Sequence, residues 1–148
     1  MSSSHDVKCA YMNGLMCSQS LLSVFGRRYD LDTITAAKIA CGLGGGMSWP
    51  GQICGAVNGA VMVLGLAISN GTGDDELGRL SVQEAIDTFV DRFTERVGST
   101  ACNSLLGMDV ATPEGYDEAT RQDLFNRKCP DILSAAADIL EELLRDYG

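Results

Sequence analysis

Six cysteines and one histidine carry the reactive side chains of this chain: Cys9, Cys17, Cys41, Cys54, Cys102, Cys129 and His5. Thiolates bind metals and attack disulfides. The successive cysteine spacings are 8, 24, 13, 48 and 27 positions, so no Cys-x-x-Cys pair exists. That excludes the usual zinc knuckle, the thioredoxin motif and the clustered ferredoxin run, which all need short spacings. Any shared thiol site must be assembled from distant helices. His5 stands in the opening stretch Met1-Ser2-Ser3-Ser4-His5, which reads as a frayed terminus. On that reading the body of the chain offers no imidazole for Ser–His or Cys–His hydrolase chemistry. It also offers no His ligand to zinc and no Cys-x-x-Cys-His haem attachment.

Cys54 is the most informative thiol. It lies two residues after Gln52, where a helix is expected to begin, and a helix N-terminus favours thiolate over thiol. Just before it runs Gly42-Leu43-Gly44-Gly45-Gly46-Met47-Ser48-Trp49-Pro50-Gly51, too rich in glycine for a helix interior. Such a loop can turn its amides toward an anion or a cluster sulfide. Gly55 and Gly59 are four apart, so they share one helix face and let another backbone come close. Glycine within a helix costs roughly 1 kcal/mol relative to alanine, which makes such an approach the expected reason for both.

The elements that must position these thiols read as helices. Apolar periodicity marks 14–29, 33–41 with Asp32 as N-cap, 52–69, a helix opened by Ser81 and Glu84 as a capping box and stopped by Gly98, a short 102–106, a polar 116–128 and a final 131–146. The 52–69 segment is apolar nearly all round and is expected at the centre. Ile132, Leu133, Ala136, Ile139, Leu140, Leu143 and Leu144 form a stripe suited to a core or a dimer seam. No alternating β-branched run suggests a strand. The fold class is therefore all-α: a single-domain compact bundle of about five to seven helices. Residues 1–12 are read as a flexible N-terminal segment and 13–148 as the helical domain.

The balance of 11 basic against 20 acidic residues, net −9, argues against nucleic acid and anionic membranes as partners. The longest apolar run, Ala60 to Ile68, is too short to span a bilayer. No secretory signal is read in residues 1–14, so a cytoplasmic location is expected, where thiols stay reduced. Asp74, Asp75 and Glu76 read as a solvated loop, and no catalytic carboxylate pair stands out.

Ala40-Cys41-Gly42-Leu43-Gly44-Gly45-Gly46-Met47, Cys54-Gly55-Ala56-Val57-Asn58-Gly59, Cys102 with Leu105-Leu106-Gly107, and Cys129 together resemble the C_GCAxxG_C_C family of redox-active proteins. Asn13-Gly14-Leu15-Met16-Cys17-Ser18-Gln19 looks like that family's opening cysteine segment. The resemblance runs over roughly residues 13 to 145. One departure is visible: the chain reads Cys54-Gly55-Ala56 where the family name spells Gly-Cys-Ala. Position by position, the resemblance implies that the family's four cysteines fall on Cys17, Cys54, Cys102 and Cys129, with Cys9 and Cys41 as extras. Related domains in split-Soret cytochromes imply an electron-transfer setting; the haem half of that analogy does not carry over.

The function expected first is an electron carrier or redox sensor. In it Cys17, Cys54, Cys102 and Cys129 ligate an iron–sulfur cluster, and backbone amides around Gly44, Gly45, Gly46 and Gly55 tune it. The alternatives are metal-free thiol–disulfide chemistry, with Cys54 as a low-pKa attacker, and a structural or interaction module with a Cys-bound zinc. Expected partners are a redox partner protein or a small electron donor or acceptor, and a second copy in a homodimer.

Overall fold

The computed structural model describes residues 2–47 and 51–147. Ser48, Trp49 and Pro50 of the glycine-rich stretch lie outside the described residues. Among the described residues the regular structure is eight α-helices: α1 Ser3–Met12, α2 Cys17–Gly26, α3 Thr33–Ala40, α4 Gly55–Ile68, α5 Glu76–Val97, α6 Cys102–Leu106, α7 Pro113–Arg121 and α8 Leu124–Leu144. Short 3₁₀ turns at Arg27–Tyr29 and Cys41–Leu43 extend α2 and α3. Residues Gly44–Met47 form a turn rather than a helix, because Gly45 and Gly46 both take left-handed conformations. Among the described residues no strand forms; Ile53 and Ala101 make an isolated antiparallel bridge. Among the described residues no helix is long and apolar enough to cross a membrane.

The apolar α4 is central, as its composition requires. It packs against α2, α5 and α8, while α1 lies on α8 and α2, and α3 lies on α2. Its contact with α2 depends on missing side chains. A Cβ at Gly59 would lie 2.9 Å from Leu21 Cβ and 3.1 Å from the Ser18 carbonyl oxygen. A Cβ at Gly55 would collide with Cys17 Sγ. On its other faces α2 is tied down by side chains. Ser18 Oγ donates to the Ala40 carbonyl at 2.8 Å, and Gln19 Nε2 donates to the Ala37 carbonyl at 2.9 Å. Asp32 caps α3 as expected, accepting from Thr35 N at 2.8 Å.

Several expected boundaries move. The opening segment, expected to be flexible, is α1. Ser2 caps it, Val7 is fully buried, and Ser3 and Arg28 both hydrogen-bond Glu141 of α8. Lys8 Nζ also reaches Asp131 at 3.3 Å. The Ser81–Glu84 pair does not open α5. The N-cap is Asp75, whose Oδ1 accepts from Gly78 N at 2.9 Å. Leu77 and Leu80 on the first turns are exposed, so no buried face marked that start. The span 116–128 is split by Asp123, which takes a left-handed conformation at φ 57°. α8 then runs through Pro130, which early in the helix removes one internal hydrogen bond while its ring is buried. The apolar stripe of α8 is consumed within the chain: Leu133, Ala136, Ile139, Leu140, Leu143 and Leu144 all lie in the core.

The α2–α4 contact gives a paired prediction. Gly59→Val overpacks it and lowers stability by about 2 kcal/mol. Gly65→Ala, on the same helix but with nothing within 4 Å of its would-be Cβ, raises stability by about 0.5–1 kcal/mol. Thermal unfolding of both variants against the parent checks the pair.

Candidate functional site

Helix ends deliver three of the four matching cysteines. Cys17 is the first residue of α2, Cys54 is the N-cap of α4 and Cys102 is the first residue of α6. Cys129 comes from the second turn of α8. Cys54 and Cys102 are held together by backbone. Cys54 N donates to the Thr100 carbonyl at 2.7 Å, and Cys102 N donates to the Gln52 carbonyl at 2.6 Å, around the Ile53–Ala101 bridge. Asn58 Nδ2 donates to the Leu43 carbonyl at 3.1 Å, fastening α4 to the glycine turn. Cys17 Sγ rests against Gly55, the residue after Cys54.

The result is one meeting point for four thiols separated by up to 112 positions in the chain (Cys17 to Cys129). Cys17, Cys54, Cys102 and Cys129 line an apolar cavity of about 20 Å³, closed by Ala56, Leu105, Leu106, Ile132 and Leu133. Its lining contains no ionisable side chain other than the thiols. Three of them, Cys17, Cys102 and Cys129, also line a larger cavity of about 240 Å³ walled by Tyr11, Met16, Gly45, Tyr116 and Phe125. Cys54 and Cys102 are buried, and Cys17 and Cys129 are partly so. Among the described residues, no three His, Cys, Asp or Glu side chains are grouped so that they could hold a metal ion.

Electrostatics at this point run against the expectation for Cys54. Burial, then the neighbouring Cys17, push its thiol well above the ordinary range, although an amide hydrogen bond from Ala56 acts the other way. The helix N-terminus is there, but desolvation outweighs it. Cys54 as a free thiol is thus not the low-pKa attacker the sequence suggested. Burial and Cys17 likewise push Cys102 up to about 11. Cys129 is pushed up to about 12 by the same two causes, with the nearby Tyr11 hydroxyl acting the other way. Cys54, Cys102 and Cys129 thus all resist ionising at this point.

The expected glycines separate into different tasks. Gly45 lines the larger cavity. Gly44 packs on Met16, where a Cβ would lie 2.9 Å from Met16 Cβ. A Cβ at Gly46 would lie 2.8 Å from Gly51 Cα, so Gly46 closes the turn. Gly55 gives room to Cys17. Cys9 and Cys41 are exposed and line a separate groove between α1, α2 and α3. Asp74 and Asp75 work as loop and cap acceptors, for Thr72 Oγ1 at 2.6 Å and Asn70 N at 2.7 Å.

Sequence reasoning missed Tyr11. Its hydroxyl donates to the Phe125 carbonyl at 3.1 Å and its ring walls the thiol cavity. Burial, followed by the Cys129 thiol, holds its hydroxyl protonated far above the usual phenol range. The signal was the four-residue spacing of Val7 and Tyr11, which puts both on one helical face, hidden by reading residues 1–12 as a loose terminus.

The fold and site define a small all-α protein with four thiols, two of them buried, lining one apolar cavity. A family model described as "Putative redox-active protein (C_GCAxxG_C_C)" matches residues 15–143, and the chain belongs to that family. Neither the curated proteins nor the solved structures provide a match.

Burial predicts the order in which the thiols of the metal-free protein react. With iodoacetamide near pH 8, Cys9 and Cys41 are alkylated first and Cys54 and Cys102 last. Peptide mapping by mass spectrometry checks this, and rapid labelling of Cys54 contradicts it.

Proposed function

We propose that Cys17, Cys54, Cys102 and Cys129 form a single redox centre that holds an iron–sulfur cluster, serving electron transfer or redox sensing. The observation that carries this reading is the convergence of four widely spaced thiols on one apolar chamber with no other ionisable side chain in its wall. All-thiolate ligation is the usual donor set of such clusters, and burial and backbone amides set their potential. A single zinc ion would draw four sulfurs to about 2.3 Å from one point. A cluster spreads its ligands over different irons, and the adjoining cavity of about 240 Å³ adds room. When bound, the group would supply one-electron chemistry. The residues of the chain would hold it through the four thiolates, exclude water with Leu105, Leu106, Ile132 and Leu133, and place the Tyr11 hydroxyl beside Cys129. The counterpart is a redox partner protein or a small electron donor or acceptor.

A second reading is thiol–disulfide exchange within the same four residues. The packing of Cys17 Sγ against Gly55, next to Cys54, favours it. Two thiols would give a disulfide, two protons and two electrons, the electrons passing to an external acceptor.

Iron, acid-labile sulfide and zinc analysis of anaerobically purified and reconstituted protein, with a visible spectrum, tests the proposal. Stoichiometric iron and sulfide with a broad visible absorption are expected. Cys17→Ser and Cys102→Ser are expected to lose most of both, while Cys9→Ser and Cys41→Ser keep them. Iron-free protein showing a reversible two-proton mass change would move the assignment to the disulfide reading. Zinc alone would overturn both.

A further inference from the structure

A large cavity lies away from the thiol centre. It is a groove of about 980 Å³ between α1, α2 and α3, with Leu15, Val24, Ile34 and Ala37 as apolar wall. Two features single it out. Ser23 lines it at 5% exposure, and its hydroxyl has no hydrogen-bond partner among the described residues. Arg27 and Lys38 also line it, and neither side chain makes a hydrogen bond or ion pair among the described residues. By contrast Lys8, Arg28, Arg92, Arg96 and Arg121 each pair with an acidic side chain. In a chain of net charge −9, two cations without an acidic partner face one lining carboxylate, Asp6, in this groove.

The groove also carries the two exposed thiols, Cys9 and Cys41. Cys9 has a partner that the sequence reading set aside. His5, one helical turn earlier on α1, brings Nε2 to 3.4 Å from Cys9 Sγ. The contact exists because α1 is a folded helix, which places residues four apart on one side.

We propose that this groove binds anionic low-molecular-weight disulfides and that Cys9 is the residue they modify, with Arg27 and Lys38 attracting the ligand carboxylates and the Ser23 hydroxyl available to an inserted polar group. In the reaction Cys9 Sγ attacks one sulfur of the disulfide while its proton passes to His5 Nε2. The ligand S–S bond breaks, a Cys9–ligand S–S bond forms, and the departing thiolate takes the proton from His5. One disulfide is consumed, one is made and one thiol is released, so the ligand is itself the oxidant. This site is separate from the four-thiol centre and does not rest on how that centre works.

The test follows mixed-disulfide formation by intact mass and peptide mapping in the Cys41→Ser background, so that a single exposed thiol remains. Oxidised glutathione is the anionic probe, cystamine the cationic one and iodoacetamide the uncharged one. The expected result is a glutathione adduct on Cys9. Its rate should fall about three- to tenfold in Arg27→Ala/Lys38→Ala, and also as salt screens the two cations. Cystamine should gain or hold its rate in that variant, and iodoacetamide labelling of Cys9 should be unchanged, which controls for thiol exposure. His5→Gln is expected to slow all disulfide exchange at Cys9. A glutathione rate that is the same with and without Arg27 and Lys38, an adduct confined to Cys17, Cys54, Cys102 and Cys129, or no adduct overturns the proposal. Iron and sulfide content plays no part in this readout, so its failure and the failure of the cluster reading are distinguishable.

Discussion

The contact of α2 with α4 is the constraint on which the rest is built. Gly59 lets Leu21 and the Ser18 backbone come in, and Gly55 lets Cys17 Sγ lie on the start of α4. An alanine at either position would hold the two helices apart by the thickness of a methyl group. Close packing is then turned into geometry. With α2 seated, its first residue is a thiol beside the N-cap thiol of α4. Helix-interior glycine is locally unfavourable by roughly 1 kcal/mol, and the approach it permits is the compensation.

Backbone hydrogen bonds complete what packing begins. The pairing of 52–54 with 100–102 sets Cys102 beside Cys54, and α8 adds Cys129 from its second turn. This mixture of helix ends and a single bridge explains how a site can form with no short-range cysteine motif. It also explains the electrostatics. Helix ends stabilise thiolates, whereas an apolar wall opposes charge, and here desolvation and mutual repulsion dominate. Cys54, Cys102 and Cys129 as free thiols are held protonated here.

The N-terminal helix changes the character of both halves of the molecule. Tyr11 closes the larger cavity over the thiols on one side. Cys9, with His5 behind it, faces a groove whose cations lack partners. One ten-residue helix therefore borders a buried thiol centre and an exposed thiol of different surroundings.

The sequence by itself determined the fold class, the central place of the apolar α4, the Asp32 cap, the Gly98 stop and the close approach through Gly55 and Gly59. Each of these is a local property: periodicity, capping chemistry or the absence of a side chain. It also marked Cys17, Cys54, Cys102 and Cys129 as a set, through the family pattern. What only the tertiary structure decided was everything that depends on neighbours distant in the chain. The start of α5 lay in turns with no buried face, and α8 continued through Pro130 because its ring found a core. α1 was hidden because its ordering comes from Val7 in the core and from Glu141, 138 positions beyond Ser3. The dielectric around Cys54 was likewise invisible, since a helix N-terminus is written in local sequence but desolvation is set by Leu105, Leu106, Ile132 and Leu133, which the chain brings to it only on folding.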